Sequence, residues 1–396
     1  MKVTFCSMLA ATLLVVSFAA PGVSSPVTAD EPRVISGERA YTTPCAQAPF
    51  GALDPEAEFQ PQLAVHPDSP NRLAVVWTQG LFLSAMVGLS DDGGETWRQV
   101  HVPISRCSGG EGGFAGDPWI VWGSDGTLYI AALTGAQVGG DAPNKVVVTR
   151  SEDGGHSWSV PVVVEDDGRF NDREAMAVDP SDADRLYLVW TKKIADGAEG
   201  LAQPSYAITL ADSRDGGRTW SVPRLIHHAP PGWWPSGITV IVLRDETVLV
   251  AFEQLDRAGG TGDAHELVLR STDHGATWTL ATVSATSAAW PRDPDTRTDV
   301  ICNAAREVLT GNPATEVIGN AAPSLAIDRD GAVVLAWQDI DRADGGDPWP
   351  DTARILVSRS NDGGVTWGPA TVVRSGEGQA WGPTIAAGPK GELVLT

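Results

Sequence analysis

Short apolar runs recur along this chain in pairs, each pair broken by a polar or glycine turn. Gln60-Pro61-Gln62-Leu63-Ala64-Val65 leads to Leu73-Ala74-Val75-Val76-Trp77, and Asp117-Pro118-Trp119-Ile120-Val121 leads to Leu128-Tyr129-Ile130. The third pair joins Asp172-Arg173-Glu174-Ala175-Met176-Ala177-Val178 to Leu186-Tyr187-Leu188-Val189-Trp190. Ser236-Gly237-Ile238-Thr239-Val240 with Val248–Phe252, and Pro323-Ser324-Leu325-Ala326-Ile327 with Val333–Trp337, repeat the theme. These runs are too short for helices and have the β-branched and aromatic content of buried strands. A sixth pair begins at Pro383, where Gly391 to Thr396 matches Gly331 to Ala336 and stops within a strand.

Out of phase with these pairs lies a polar repeat, Ser-x-Asp-x-Gly-x-(Ser/Thr)-Trp. It occurs at Ser90 to Trp97, Ser151 to Trp158, Ser213 to Trp220, Ser271 to Trp278 and Ser360 to Trp367, with starts 61, 62, 58 and 89 residues apart. A fixed period of this length marks a repeat architecture, and one four-stranded sheet fills it. Ser and Asp side chains hold nearby backbone N–H groups, Gly takes the positive φ that closes a turn, and Trp packs beneath it. The aspartates of the repeat are therefore turn formers and not catalysts.

Six inner pairs with five such turns predict an all-β, six-bladed β-propeller over residues 55–396, its last blade incomplete. Either the sequence is a fragment, or the outer strands of that blade come from the N-terminal region around Val34 to Tyr41. Residues 1–29 read as a signal peptide: Lys2 gives the positive start, Met8 to Ala20 the apolar run, and small residues follow at Val27-Thr28-Ala29. Residues 30–54 form an N-terminal segment before the propeller, and the mature protein is expected to be secreted.

The tryptophan-ended turns together with the inner-strand pattern resemble the sialidase (neuraminidase) superfamily and its Asp-box relatives, across about residues 55–396. The resemblance implies a carbohydrate-active propeller, an exo-sialidase or other glycoside hydrolase, whose substrate lies where the innermost strands begin, opposite the Asp-box turns. It also implies an arginine triad for a substrate carboxylate, a Tyr–Glu nucleophile and an Asp general acid. Phe59-Gln60-Pro61 stands where the family has Phe-Arg-Ile-Pro, and none of the four tyrosines, Tyr41, Tyr129, Tyr187 and Tyr206, falls late in the chain. A non-catalytic propeller that binds a glycan or protein is the rival expectation.

Chemistry-bearing residues on the predicted substrate face single out Asp117, Glu174 and Glu253 for acid/base work, with Glu174 paired to Asp117 or Glu253. Arg173, Asp172, Trp290 and Trp381 are expected to bind substrate, the tryptophans by stacking on sugar rings or by roofing the axis, as Trp233 and Trp234 would in their loop. Asp172-Arg173-Glu174 also reads as a local ion pair. The run Asp339 to Asp347 places four carboxylates in one expected loop, so Asp339, Asp341 and Asp344 are candidate Ca²⁺ ligands, with a solvated acidic loop as the alternative. An insertion over about Ser284 to Asn320 accounts for the longest spacing and should overhang the same face.

Charge narrows the partners. The chain carries 28 basic and 50 acidic residues, and loss of the leader, with Lys2 as its one charge, takes the net from −22 to −23. Such a surface repels phosphate backbones, so a glycan or glycoconjugate is expected as partner, and neither nucleic acid nor an anionic membrane. After Cys6 leaves with the leader, Cys45, Cys107 and Cys302 remain; one disulfide is expected, Cys107 with Cys302 preferred, and zinc-type spacing is absent.

Overall fold

The computed structural model describes residues 14–15, 34–36, 58–80, 82–136, 142–195, 203–256, 263–287, 322–341, 352–374, 382–388 and 392–395. Among them there is no α-helix; a single 3₁₀ turn spans Arg106–Ser108. The strands all pair antiparallel within their sheets, as the strand-length apolar runs require.

Five sheets have four strands each, ordered as they occur in the chain. The first blade is Glu58–Val65, Leu73–Gln79, Ser84–Ser90 and Arg98–Val102, and the second is Gly116–Trp122, Leu128–Thr134, Lys145–Ser151 and Val162–Glu165. Asn171–Asp179, Asp182–Ala195, Ser205–Ser213 and Arg224–His228 make the third. The fourth is Trp233–Val242, Val248–Asp256, Asp263–Ser271 and Thr279–Ser287, and the fifth Ser324–Ile327, Val333–Asp341, Thr352–Ser360 and Thr371–Arg374. The first strands of successive blades run beside one another, which places them innermost in a β-propeller.

Among the described residues the count of blades is five, not the six expected. After the fifth comes a hairpin of Ile385–Ala387 and Leu393–Leu395, with Leu14–Val15 paired along its other edge. An inner pair of strands alone is not a blade; among the described residues this sheet has no outer hairpin with its polar turn of the kind that completes each of the five.

Strand alternation explains how the blades hold together. Side chains on one face of a sheet pack on the preceding blade and those on the other face on the following one. Thus Ile120, Leu128 and Ile130 join the first blade's Val76, Val87 and Leu89, while Tyr129, Ala131 and Leu133 join the third blade's Leu186, Leu188 and Trp190. The same alternation links the third to the fourth, the fourth to the fifth, and the fifth to the closing hairpin. Trp190 and Trp337 are fully buried in these interfaces, each large side chain contributing roughly 1.5–3 kcal/mol by burial.

The polar repeat forms the turn between third and fourth strands of every complete blade. In the first, Ser90 Oγ donates to Asp92 Oδ1 at 2.8 Å and accepts from Gly94 N at 2.9 Å; Asp92 then accepts from Thr96 N and its hydroxyl at 2.9 and 2.6 Å. The other four copies repeat this set. Gly94 takes φ +91° to close the loop. Hydrogen bonds from the Thr96 hydroxyl, its N–H and Ser90 hold the Asp92 carboxyl down at about 2. These aspartates serve the turn, as their spacing implied.

Candidate functional site

The same register that builds the blades gathers the candidate residues at one end. The first strands of the first four blades each carry a bulge that skips two residues: Gln60-Pro61, Asp117-Pro118, Arg173-Glu174 and Gly237-Ile238. The leading residue of each is left-handed, with φ +55°, +46°, +58° and +60°. Only the fourth is glycine, and there a Cβ would lie 2.5 Å from the Ala322 backbone. Gln, Asp and Arg in this region cost energy, and strain of this kind concentrates where side chains are aimed for a purpose.

The bulges are linked around the axis. Asp117 N donates to Gln60 Oε1 at 3.1 Å, and Gln60 Nε2 donates back to Asp117 Oδ1. Arg173 N in turn donates to Asp117 Oδ2 at 3.4 Å. Asp117 thus receives N–H groups on both oxygens, and Gln60 spends both ends of its amide on its neighbour. Arg173 Nε lies 3.8 Å from Asp172 Oδ2, so the local ion pair exists, and Glu174 is outside it.

Glu174 is 3% exposed and neither of its oxygens has a hydrogen-bond partner. Burial first, and the Asp117 carboxylate second, push its carboxyl well above the usual range. A second acidic group lies at the facing ends of the fourth and fifth blades. Glu253 pairs across strands with Glu266; both are buried, and both are raised by burial and then by neighbouring carboxylates, Asp339 for Glu253 and Glu253 followed by Asp339 for Glu266. Both Glu266 oxygens and Glu253 Oε1 lack partners.

Asp339 departs from its expected place. It sits within the second strand of the fifth blade, not in a loop, and its Oδ2 accepts from Arg354 Nε and NH2 at 3.0 and 2.8 Å across the strand register. Asp341 ends that strand, and Asp344 lies outside the described residues. Among the described residues no group of three or more His, Cys, Asp or Glu is placed to hold a metal ion. Trp233 and Trp234 likewise belong to a strand and not to a loop: Trp234 is buried, and Trp233 stacks on His265 at 5.4 Å. Trp290, Trp381 and nearly all of the insertion lie outside the described residues. Cys107 is disulfide-bonded, to a partner that also lies outside them.

Two residues escaped the reading of the sequence. Glu266 is an acid next to the apolar run Leu267-Val268-Leu269 and is buried with it, which is a signal available to periodicity. Gln60 was judged only as a lost arginine, although an amide can hold a carboxylate and a backbone N–H together.

A family model described as a BNR repeat-like domain matches residues 126–380. The chain belongs to the BNR repeat-like domain family. No curated protein matches it. Among solved structures this BNR-repeat chain is similar to a protein of unknown function from Dyadobacter fermentans DSM 18053, with TM-score 0.55 and 17% identity, over 85% of this chain and 89% of that one. It is similar to the α-L-arabinofuranosidase of Fusarium graminearum solved with an iminosugar inhibitor, with TM-score 0.54 and 13% identity, over 85% and 87%. The NanB sialidase of Streptococcus pneumoniae gives TM-score 0.54 and 12% identity, over 88% of this chain and 66% of that one. At these identities the likeness establishes the propeller, and the chemistry must come from the residues.

Proposed function

We propose that this BNR-repeat propeller is an exported carbohydrate-active protein that binds a glycoside at the bulged ends of its inner strands and hydrolyses it, as an exo-sialidase or another glycoside hydrolase. The observation that carries the reading is the set of buried carboxyl groups at that end, Glu174 and Glu266 with neither oxygen bonded and Glu253 with Oε1 unbonded. A carboxyl kept protonated by burial is what a general acid needs for a glycosidic oxygen, and a neighbouring carboxylate supplies the base or nucleophile. Glu174 takes the acid role, and Asp117 or Glu253 the partner role. Arg173 and Asp172 bind ring hydroxyls, and Trp290 and Trp381 offer flat apolar surface to the sugar. The sialidase and arabinofuranosidase named among the structural neighbours act on glycosides, which supports the substrate class.

In the reaction, Glu174 gives its proton to the leaving oxygen as the glycosidic bond breaks, and the partner carboxylate stabilises or captures the anomeric carbon, directly or through water. A panel of fluorogenic glycosides, sialoside and arabinofuranoside included, tests this. At least one should be turned over, with Glu174→Gln reducing the rate about 10²–10⁴-fold. Export is checked by N-terminal sequencing of the mature protein, expected to start near residue 30.

A second reading, a propeller that holds a glycan or protein without turnover, is favoured by one observation: all three glutamates are 3% exposed or less. A group that passes a proton to substrate has to reach it. Binding on a glycan array with no turnover across the panel would decide for this reading.

A further inference from the structure

We infer that Asp117 is the carboxylate that works with Glu174, and that Gln60 of the first blade is the residue that positions it; the inference rests on the glycoside-hydrolase reading above and decides between the two partners that reading allows. The acid needs beside it a carboxylate that is ionised and open to the substrate. Glu253 suits this poorly. It is 1% exposed, and burial followed by the Asp339 carboxylate pushes its carboxyl above the usual range, so it gives up its proton less readily than an ordinary acid. Asp117 is partly exposed in its bulge, and it stands close enough to Glu174 to be the second cause of that carboxyl's rise.

Asp117 is also held from both sides. Its Oδ1 accepts from Gln60 Nε2 of the first blade and its Oδ2 from Arg173 N of the third, at 3.4 Å. A carboxylate has about four acceptor positions, so one donor on each oxygen leaves a lone pair on each for the anomeric carbon or for a water.

The amide that does the holding can be set only one way. Gln60 Oε1 accepts from Asp117 N at 3.1 Å and from the Thr78 hydroxyl at 3.2 Å. A backbone N–H can only donate, so the amide oxygen takes that place and the NH2 end turns to Asp117 Oδ1. Thr78 is fully buried on the neighbouring strand, which fixes the amide from behind. The repeat itself supplies the comparison: the fourth blade makes the same left-handed turn with Gly237, whereas the first and second keep side chains there, at φ +55° and +46°, and bond them to each other. Strain retained at both members of a reciprocal pair is what aiming one carboxylate requires.

Kinetics on a fluorogenic glycoside that the full chain turns over test this, with each variant first shown to be folded by circular dichroism at the assay temperature. Asp117→Ala should lose about 10²–10⁴-fold in kcat, and azide or formate, small anions that fit where the carboxyl was, should restore part of it. Asp117→Asn, which keeps the shape of the side chain, should lose kcat to the same degree, so the test survives an alanine variant that does not fold. Gln60→Ala should lower kcat about 10²-fold with KM little changed, and neither anion should restore it, because Asp117 is still present but no longer aimed. Absence of rescue in Asp117→Ala, rescue in Glu253→Ala in its place, or an unchanged kcat in Gln60→Ala or Asp117→Asn overturns the inference and leaves the glycoside-hydrolase reading standing. No turnover of any glycoside by the full chain overturns both.

Discussion

The backbone N–H of Asp117 is held by the side chain of Gln60, across the gap between the first and second blades, with Oε1 3.1 Å from the nitrogen. Both residues are in left-handed conformations that neither prefers, at φ +46° and +55°. The hydrogen bonds between them offset that strain, so the pair should be mutually dependent. Gln60→Ala removes the partner of Asp117 N and of Asp117 Oδ1 together. Stability is expected to fall by about 1–3 kcal/mol, measured by urea denaturation, and Gln60→Glu should do no better, since it sets a carboxylate against a carboxylate. An unchanged midpoint for Gln60→Ala would show that the bulges are not coupled.

Glu174 gives a pH dependence with a definite sign. Its carboxyl is raised in the folded protein, so the folded state holds a proton that the unfolded chain releases above about 4.5. Its stabilising contribution is full below that value and declines as pH rises toward the folded value, by up to about 1.4 kcal/mol for each pH unit. Glu174→Gln keeps the neutral shape and removes the loss. Its melting temperature should match the native protein near pH 4 and exceed it at pH 8; a constant difference across that range would contradict a buried, protonated carboxyl.

The Asp-box aspartates act in the opposite direction. Asp273 is held at about 2, chiefly by the Thr277 hydroxyl, so what it adds to stability is present above its ordinary value and lost as pH falls toward 2. Asp273→Ala should lower the melting temperature at neutral pH, flatten the acid limb, and leave kcat/KM for any glycoside unchanged, because the turn lies at the far end of the blade from Glu253 and Glu266. Loss of turnover without loss of stability would place the Asp-box in the site.

Much of this was legible because it is local. The Asp-box turn closes its hydrogen bonds within a few residues, as in Ser213, Asp215, Gly217 and Thr219, so spacing alone conveys it. Glu174 and Asp117 stood out as acids at the head of apolar strands. What spacing does not carry is which residues meet across strands. Glu266 becomes part of the site only by standing opposite Glu253, and Asp339 changes from an expected cation ligand to a strand residue because Arg354 stands opposite it. Acidic composition suggested a loop from Asp339; a cross-strand partner lets the strand run on to Asp341. The sixth blade was counted from its inner strands, but a blade is complete only when an outer hairpin covers the edge they leave.

The Glu253 and Glu266 pair yields a test that a single variant cannot. Each is buried on its own strand, and each is raised in part by acidic neighbours, Glu266 by Glu253 directly. Above the ordinary carboxylate range, removing one carboxyl removes both its own burial cost and its repulsion of the other. Glu253→Gln and Glu266→Gln should therefore each stabilise the fold, and the double variant should gain less than the two gains added, since the repulsion is counted twice. The shortfall is expected at about 1 kcal/mol in a double-mutant cycle, and should vanish at pH 4, where both carboxyls are neutral. Additivity at both pH values would mean that the two groups do not sense each other, and the shared acidic site at the fourth and fifth blades would have to be abandoned.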